Sequence, residues 1–146
     1  MKVLISNKKA NLNYFTIDKY ESGISLNGNE VKSIANANGN INDAFCFIKN
    51  NEMYLLNMYI PPYKQDSKIN AYDPYRKRKL LLHKDEIIKI DYQTKKNKLT
   101  IIPTLIYMNK NKIKVEIILA KSKKKWDKRE TIKLNENKRV SAKFTN

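Results

Sequence analysis

Apolar and polar residues alternate with a period of two along several stretches of this chain, as they do in half-buried β-strands. The clearest stretch is 113–120, where aliphatic residues at every second position alternate with Lys114 and Glu116. We predict that one face of this strand packs in a core and the other faces solvent. The same reasoning gives the full set of predicted strands, which are 14–26, 44–49, 53–60, 80–82, 99–108 and 113–120.

Turn residues separate these strands. Asn50-Asn51 lies between the second and third strands, and Asn109-Lys110-Asn111 lies between the last two. Because Asn tolerates the positive φ that a tight hairpin requires, both sites predict β-hairpins. Gly23 indicates a bulge or bend in the first strand, and residues 3–9 before that strand are expected to form a loose leader.

Two segments have helical spacing instead. Val31, Ile34 and Ala35 recur at i, i+3 and i+4 after the turn and cap residues 27–29, which predicts a short helix. A second helix begins at Asp85-Glu86, whose negative charges favour a helix N-terminus, and it continues through apolar residues at helical spacing to two lysines.

A small antiparallel sheet leaves exposed edges unless it closes on itself. The OB-like barrel is the common small closed form. The predicted fold class is therefore mainly β, an OB-like closed antiparallel barrel of about six strands with two or three short helices and a basic C-terminal tail. A β-sandwich remains an alternative topology. A chain of 146 residues has enough length for one core.

The net charge of the chain gives the first indication of its function. The sequence has 30 Lys and Arg against 14 Asp and Glu, a formal net charge of +16. Such a charge is typical of nucleic-acid binding and less often of binding to an anionic membrane surface. A low-GC genome that enriches Lys, Asn and Ile is the alternative explanation. The sequence shows no apolar run long enough for a membrane span or a signal peptide, so we expect a cytoplasmic protein.

The basic charge is densest at the C-terminal end. From Lys121 onwards, ten Lys or Arg stand against three Asp or Glu, and the single tryptophan, Trp126, lies among them. Cations neutralise phosphates, and an aromatic ring can stack on a base. The segment has too little apolar surface to offset ordering costs of about 1–2 kcal/mol per residue. We expect an OB-like RNA-binding barrel over residues 1–125 and a tail over 126–146 that is disordered in the free protein.

Residues with catalytic potential are few. His83 is the only histidine and Cys46 the only cysteine, and both lie in apolar surroundings that favour core packing. The three glycines do not have the spacing of a phosphate-binding loop. We expect no enzyme activity, no cofactor and no metal site.

A second cationic cluster precedes an apolar run. Arg76, Lys77, Arg78 and Lys79 are consecutive and are followed by three leucines, which should hold these cations at a fixed position. Phosphate contacts of this kind position an RNA without reading its sequence. A solvated basic loop is the alternative. The cations that can join the same surface are Lys8, Lys9, Lys121, Lys123 and Lys124.

Glu30 is a carboxylate in a strongly basic protein. It can accept hydrogen bonds from the amino edge of a base, as Glu does from cytosine N4. It can equally complement the positive end of the helix dipole. Both interpretations remain open from the sequence.

Four blocks of residues occur in order along the chain. They are 7–10 (Asn-Lys-Lys-Ala), 28–33 (Gly-Asn-Glu-Val-Lys-Ser), 73–83 (Asp-Pro-Tyr-Arg-Lys-Arg-Lys-Leu-Leu-Leu-His) and 120–130 (Ala-Lys-Ser-Lys-Lys-Lys-Trp-Asp-Lys-Arg-Glu). Their combination closely resembles the SsrA-binding protein (SmpB) family, and the resemblance covers nearly the whole chain.

The resemblance implies a six-stranded OB-like barrel and a non-catalytic RNA-binding adaptor of ribosome rescue by trans-translation. Members of this family bind the transfer-RNA-like domain of transfer-messenger RNA (tmRNA, or SsrA RNA) and deliver it to stalled ribosomes. Their tail enters the decoding centre and the empty message channel. The implied partners are tmRNA and the small-subunit ribosomal RNA of a stalled ribosome, without a membrane, and we expect a monomer.

The charge clusters and the resemblance together define two sets of expected RNA-binding residues. The set facing the transfer-RNA-like domain is Asn7, Lys8, Lys9, Glu30, Lys32, Arg76, Arg78, Lys79, Lys121, Lys123 and Lys124. The set in the decoding-centre tail is Trp126, Asp127, Lys128, Arg129 and Lys133.

The chain departs from the family pattern at three places, and rival functions remain. The segment after Arg139 is shorter and less basic than in many members, which leaves open how far it reaches into the message channel. Ser122 stands where the family usually has Gly, which leaves the local backbone conformation open. Residues 11–13 (Asn-Leu-Asn) replace a stretch that commonly carries Arg and His. The alternative function is a ribosomal or single-strand RNA-binding OB protein. A third is a nuclease using Glu30 or Asp127, for which we expect no cleavage of RNA.

Overall fold

The structure is a computed structural model that describes residues 1–63 and 72–123. The tail expected over 126–146 lies outside these ranges, so its expected disorder remains a prediction. The elements in chain order are β1 (Lys2–Ser6), α1 (Ala10–Asn13), β2 (Tyr14–Ile24), α2 (Gly28–Ala35), β3 (Phe45–Lys49), β4 (Glu52–Leu56), β5 (Arg78–Leu81), α3 (Lys84–Asn97), β6 (Thr100–Asn109) and β7 (Lys112–Ser122).

The strands form one antiparallel sheet that closes on itself. Six strands pair in the order β6-β3-β4-β5-β2-β7, and β7 pairs with β6 again, while β1 adds to β6 as a seventh strand. The closure is uneven, since β6 and β7 pair from Thr100↔Ala120 to Asn109↔Lys112, whereas β3 meets β6 through one residue pair, Cys46↔Ile101. The expected closed, mainly β fold with short helices is confirmed.

The predicted hairpins have the expected turns. Asn50 and Asn51 have φ values of 53° and 59°, and Lys110 and Asn111 have 51° and 63°. Two residues at positive φ give a turn whose twist matches that of the flanking strands. Both hairpin predictions are therefore confirmed.

Two local predictions were wrong. Residues 2–6 were expected to be part of a loose leader, but they form β1 along β6. The hydrogen-bonding partners of this strand come from β6, and no pattern within residues 2–6 predicts that pairing. The irregularity in β2 lies between Thr16 and Asp18, whereas Gly23 pairs regularly with both neighbouring strands.

The interior of the ring is one large aliphatic cluster. Inward residues of β7 such as Val115, Ile117 and Leu119 are fully buried, and α2 and α3 contribute Ile34 and Ile90. The opposite face of β7 is only partly wet: on that side Ile118 and Ala120 are also buried and pack with Ile102 and Tyr14. In the described ranges no helix has the length and apolar character needed to cross a membrane.

Candidate nucleic-acid interface

The cationic segment 76–79 is fixed by a turn and a strand. The side chain of Asp73 accepts a hydrogen bond from the Tyr75 amide (2.9 Å), and its carbonyl accepts one from the Arg76 amide (3.1 Å). The chain then enters β5, where side chains alternate between the two faces. Arg78 consequently points into the interior, and Lys79 points outwards.

Arg78 is fully buried, with 0% of its surface exposed. Its guanidinium donates to the Met58 carbonyl (2.6 Å) and the Pro74 carbonyl (3.1 Å), to the Tyr72 hydroxyl (3.1 Å), and through Nε to Glu30 (2.7 Å). No part of it is exposed to an external phosphate in this structure. Arg78 was expected to contact RNA directly, but in this structure it supports the fold from inside.

Glu30 is the carboxylate on which this network converges, and it is only 1% exposed. Oε1 accepts from the Asn27 amide (3.0 Å) and from Arg76 (2.5 Å), and Oε2 accepts from Arg78 (2.7 Å) and the Tyr72 hydroxyl (3.3 Å). The Tyr72 hydroxyl also lies 2.9 Å from the Ile60 carbonyl, so its single proton is shared. Because the carboxylate is buried and is already held by Asn27, Arg76 and Arg78, it is not accessible to a base edge. Glu30 also closes a capping box with Asn27 at the start of α2, which supports the helix-start interpretation.

The surroundings of Glu30 favour its charged form. Burial by itself raises the pKa of a carboxyl group, because it penalises the anion. The hydrogen bonds from Arg76, the Asn27 amide and Arg78 outweigh that effect and hold the pKa of Glu30 below its ordinary value of 4.5. The carboxylate is thus a stable internal anion that fixes two arginines.

Arg76 is the end of this network that reaches solvent. Its side chain is 40% exposed, and one terminal nitrogen is held by Glu30. Its Nε is buried and has no hydrogen-bond partner among the residues that the structure describes. The guanidinium is therefore oriented from inside and open on its outer side, which suits a phosphate contact.

The N-terminal block lies on the other side of the segment 40–44. The Asn7 amide donates to the Ile41 carbonyl (3.2 Å) and the Pro103 carbonyl (3.0 Å), so this side chain fastens two parts of the fold. Lys8 and Lys9 are exposed. Lys9 approaches Asp43 at 3.7 Å.

The remaining described lysines fall into two groups. Lys32, Lys79 and Lys121 are exposed; Lys32 lies 5.4 Å from the centre of the Tyr63 ring, and Lys79 pairs with Glu52 at 3.1 Å. Lys123 is only 7% exposed. It therefore belongs with the supporting residues and not with the exposed cations.

Lys123 ties the end of β7 to α1. Its Nζ donates to the Asn11 carbonyl (2.8 Å), its amide donates to the Asn13 carbonyl (2.9 Å), and its ammonium lies 4.8 Å from the centre of the Phe15 ring. The unusual stretch 11–13 thus forms most of α1 and binds the last described residue of the chain. Ser122 pairs with Tyr14 as a regular strand residue, a conformation that does not require Gly.

Several expected residues cannot be placed. Lys124, Trp126, Asp127, Lys128, Arg129 and Lys133 lie outside the described residues. Conversely, Tyr72 belongs to the Glu30 network and was not predicted, since an isolated tyrosine in a polar stretch gives no periodic signal. The inward position of Arg78 did have a signal: it stands two residues before Leu80, so both share one face of the strand.

The two lone candidate catalytic residues, Cys46 and His83, lie in different surroundings. Cys46 is buried, and burial raises the pKa of its thiol, which keeps it protonated. His83 is exposed, so the expected core packing of its side chain was wrong. Its main-chain amide donates to Glu86 at the start of α3, which fixes the backbone there. No group of three or more His, Cys, Asp or Glu residues within 1–63 and 72–123 is arranged to hold a metal ion.

Comparisons with known proteins agree with one another. A family model described as SmpB protein matches residues 4–146. The SsrA-binding protein of Malacoplasma penetrans is 53% identical over 143 residues, which cover 98% of this chain and 97% of that protein. The SsrA-binding protein of Mycoplasmoides gallisepticum is 54% identical over 141 residues, covering 96% and 98%.

A solved structure gives the same match in three dimensions. A chain from a structure described as "tmRNA-SmpB: a journey to the center of the bacterial ribosome" is similar with a TM-score of 0.70 and 37% sequence identity. The match covers 90% of this chain and 95% of that one. The similarity therefore extends over nearly all of both chains.

Proposed function

This chain belongs to the SmpB protein family, and from that premise we propose that it binds tmRNA and acts in ribosome rescue by trans-translation. The observation that carries the proposal is the 53% identity to an SsrA-binding protein over 98% of the chain. The net charge of +16 gives the physical basis, because cations that replace the counterions of an RNA supply most of the affinity for its backbone.

We propose that some of the expected residues contact RNA phosphates and that others position those residues. The exposed cations Lys8, Lys9, Lys32, Arg76, Lys79 and Lys121 contact phosphates of the transfer-RNA-like domain, together with Lys124. Four other residues position them from inside: Asn7, Glu30, Arg78 and Lys123 are each held by hydrogen bonds within the fold. The phosphate contacts fix the orientation of the RNA, and other groups read its sequence.

The tail over 126–146 is proposed to act at the ribosome. Trp126 stacks on a base of the small-subunit ribosomal RNA, and Asp127, Lys128, Arg129 and Lys133 bind around the decoding centre and the empty message channel. A segment that folds only on binding has reduced affinity per unit of interface. That property suits a part that should engage only where a vacant channel offers enough contacts.

The protein is proposed to act without catalysis, as a monomeric cytoplasmic adaptor that needs no cofactor. Incubation with RNA and Mg²⁺ should give no cleavage products. Cleavage that is lost in an Asp127→Asn variant would contradict the proposal and would favour a nuclease.

A gel-shift competition tests the proposed function. The purified chain is bound to labelled tmRNA, and unlabelled tmRNA, an unrelated transfer RNA and an unstructured RNA oligomer compete. We expect only tmRNA to compete strongly. Equal or stronger competition by the unstructured oligomer would support the rival single-strand RNA-binding function instead.

A further inference from the structure

A hollow lined by two tyrosines lies beside two of the proposed RNA-binding cations, Lys9 and Arg76. It has a volume of about 250 Å³ and is lined by Asn40, Asp43, Asn57, Tyr59 and Tyr75. The rings of Tyr59 and Tyr75 lie 5.3 Å apart with an interplanar angle of 50°. Tyr75 is 57% exposed, so a large part of this aromatic side chain is available to a ligand.

The hollow is held rigidly by the backbone. Asn40 and Tyr59 exchange two hydrogen bonds, of 2.9 and 3.0 Å, in an isolated bridge. The Ile60 amide donates to the Pro74 carbonyl (3.0 Å), and Asp73 holds the turn that carries Tyr75. The aromatic pair is therefore in place before any ligand arrives, which reduces the entropic cost of binding.

Charges of both signs border the hollow. Asp43 in its lining is approached by Lys9 at 3.7 Å, and Tyr75 is followed directly by Arg76, whose side chain is 40% exposed. Cations beside an exposed ring form the combination that binds a single-stranded nucleotide, since the cations hold the backbone and the ring stacks on the base. The carboxylate adds a specific acceptor, because Asp and Glu accept from the amino group of cytosine N4.

We propose that this hollow binds one unpaired nucleotide of an RNA, with its base stacked on Tyr75 and its amino edge at Asp43. The inference rests on the proposed function and deepens it, because it places a base-recognition site beside two of the proposed RNA-binding cations. Lys9 and Arg76 bind the phosphates on either side of the flipped-out base. The site favours a base with an amino edge, such as cytosine, over uracil.

Binding of the full chain to tmRNA at several KCl concentrations tests the stacking. In Tyr75→Ala the dissociation constant should rise about 5- to 100-fold, with an unchanged slope of log affinity against log salt, because no phosphate contact is lost. Tyr75→Phe keeps the ring and should stay within about twofold of wild type. Wild-type affinity in Tyr75→Ala, or an equal loss in Tyr75→Phe, would overturn the stacking role.

Short unstructured oligomers test the base edge and separate the two proposals. Oligocytidylate should compete better than oligouridylate with wild type, and Asp43→Asn should remove that difference; an unchanged ratio would overturn the assignment of Asp43. If the wild type does not prefer tmRNA, the proposed function fails, yet weaker oligomer binding by Tyr75→Ala would still support the nucleotide site. If tmRNA is preferred and Tyr75→Ala binds both RNAs like wild type, only the site fails.

Discussion

Glu30 Oε2 and Arg78 Nε lie 2.7 Å apart although 48 residues separate them in the sequence, and both side chains are fully buried. This ion pair joins the first turn of α2 to the first residue of β5. Through the second oxygen of Glu30 the pair also orients Arg76 at the surface. One carboxylate thereby couples the packing of the fold to the placement of a proposed RNA contact.

Removing the charge of Glu30 should destabilise the protein strongly. In Glu30→Gln two guanidinium groups lose their anion, and breaking a buried ion pair costs about 3–5 kcal/mol. Urea unfolding followed by circular dichroism measures the loss. The control is Glu52→Gln, which removes the partner of Lys79 from an exposed pair and should leave the unfolding midpoint unchanged. Equal midpoints for the two variants would contradict the supporting role of Glu30.

The same carboxylate predicts sensitivity to acid. The pKa of Glu30 is lower in the folded protein than its ordinary value of 4.5, so the unfolded state binds a proton first as pH falls. The stabilisation is complete above the unfolded value and disappears as pH drops through the folded value. The free energy of unfolding should therefore begin to fall as the pH drops below about 5 and should keep falling through the lower pKa of the folded state. That fall should be smaller in Glu30→Gln, and parallel pH profiles for the two proteins would contradict the prediction.

Two lysines near the end of β7 should behave differently. Lys121→Ala removes an exposed cation and should lower the log–log salt slope of tmRNA binding by up to about one unit. Lys123→Met keeps the buried stem but removes the hydrogen bond to Asn11, which should cost about 1–3 kcal/mol of stability and leave the slope unchanged. Urea unfolding and salt titration distinguish them. A lower slope for Lys123→Met would place Lys123 in the interface.

The proposed division of the chain predicts separable activities. A protein ending at Lys125 lacks the proposed decoding segment but keeps the fold and its cations. It should bind free tmRNA with nearly wild-type affinity and fail to support tagging on stalled ribosomes in a reconstituted translation assay. If affinity for free tmRNA falls as far as tagging does, the tail belongs to the primary RNA site.

The sequence predicted those parts of the fold that depend on neighbours along the chain. Asn50-Asn51 carries its own preference for positive φ, and the capping box of Asn27 and Glu30 spans one helical turn. Strand β1 depends on pairing with β6, about 100 residues later. No local pattern encodes that pairing, so the leader prediction failed.

The candidate site shows the same limit. Consecutive cations at 76–79 looked equivalent in the sequence, yet the strand period separates Arg78 from Lys79. Lys123 likewise looked like one of the cations that face the RNA, but its partners are main-chain carbonyls of α1. Net charge predicts that a surface binds RNA. It cannot tell which cations face the RNA and which are used within the fold.

Strands β3 and β6 meet through one residue pair, Cys46↔Ile101. The ring should therefore open more easily at this seam than between β6 and β7. Asn7 spans this seam by donating to carbonyls on both sides, beside the proposed contacts at Lys8 and Lys9. Amide protons along the seam should therefore exchange with deuterium sooner than those of the β6–β7 hairpin. An RNA that grips only the closed ring would slow that exchange, by about 2.7 kcal/mol of opening free energy at 100 times its dissociation constant. Bound RNA would then stabilise the closed form of the ring.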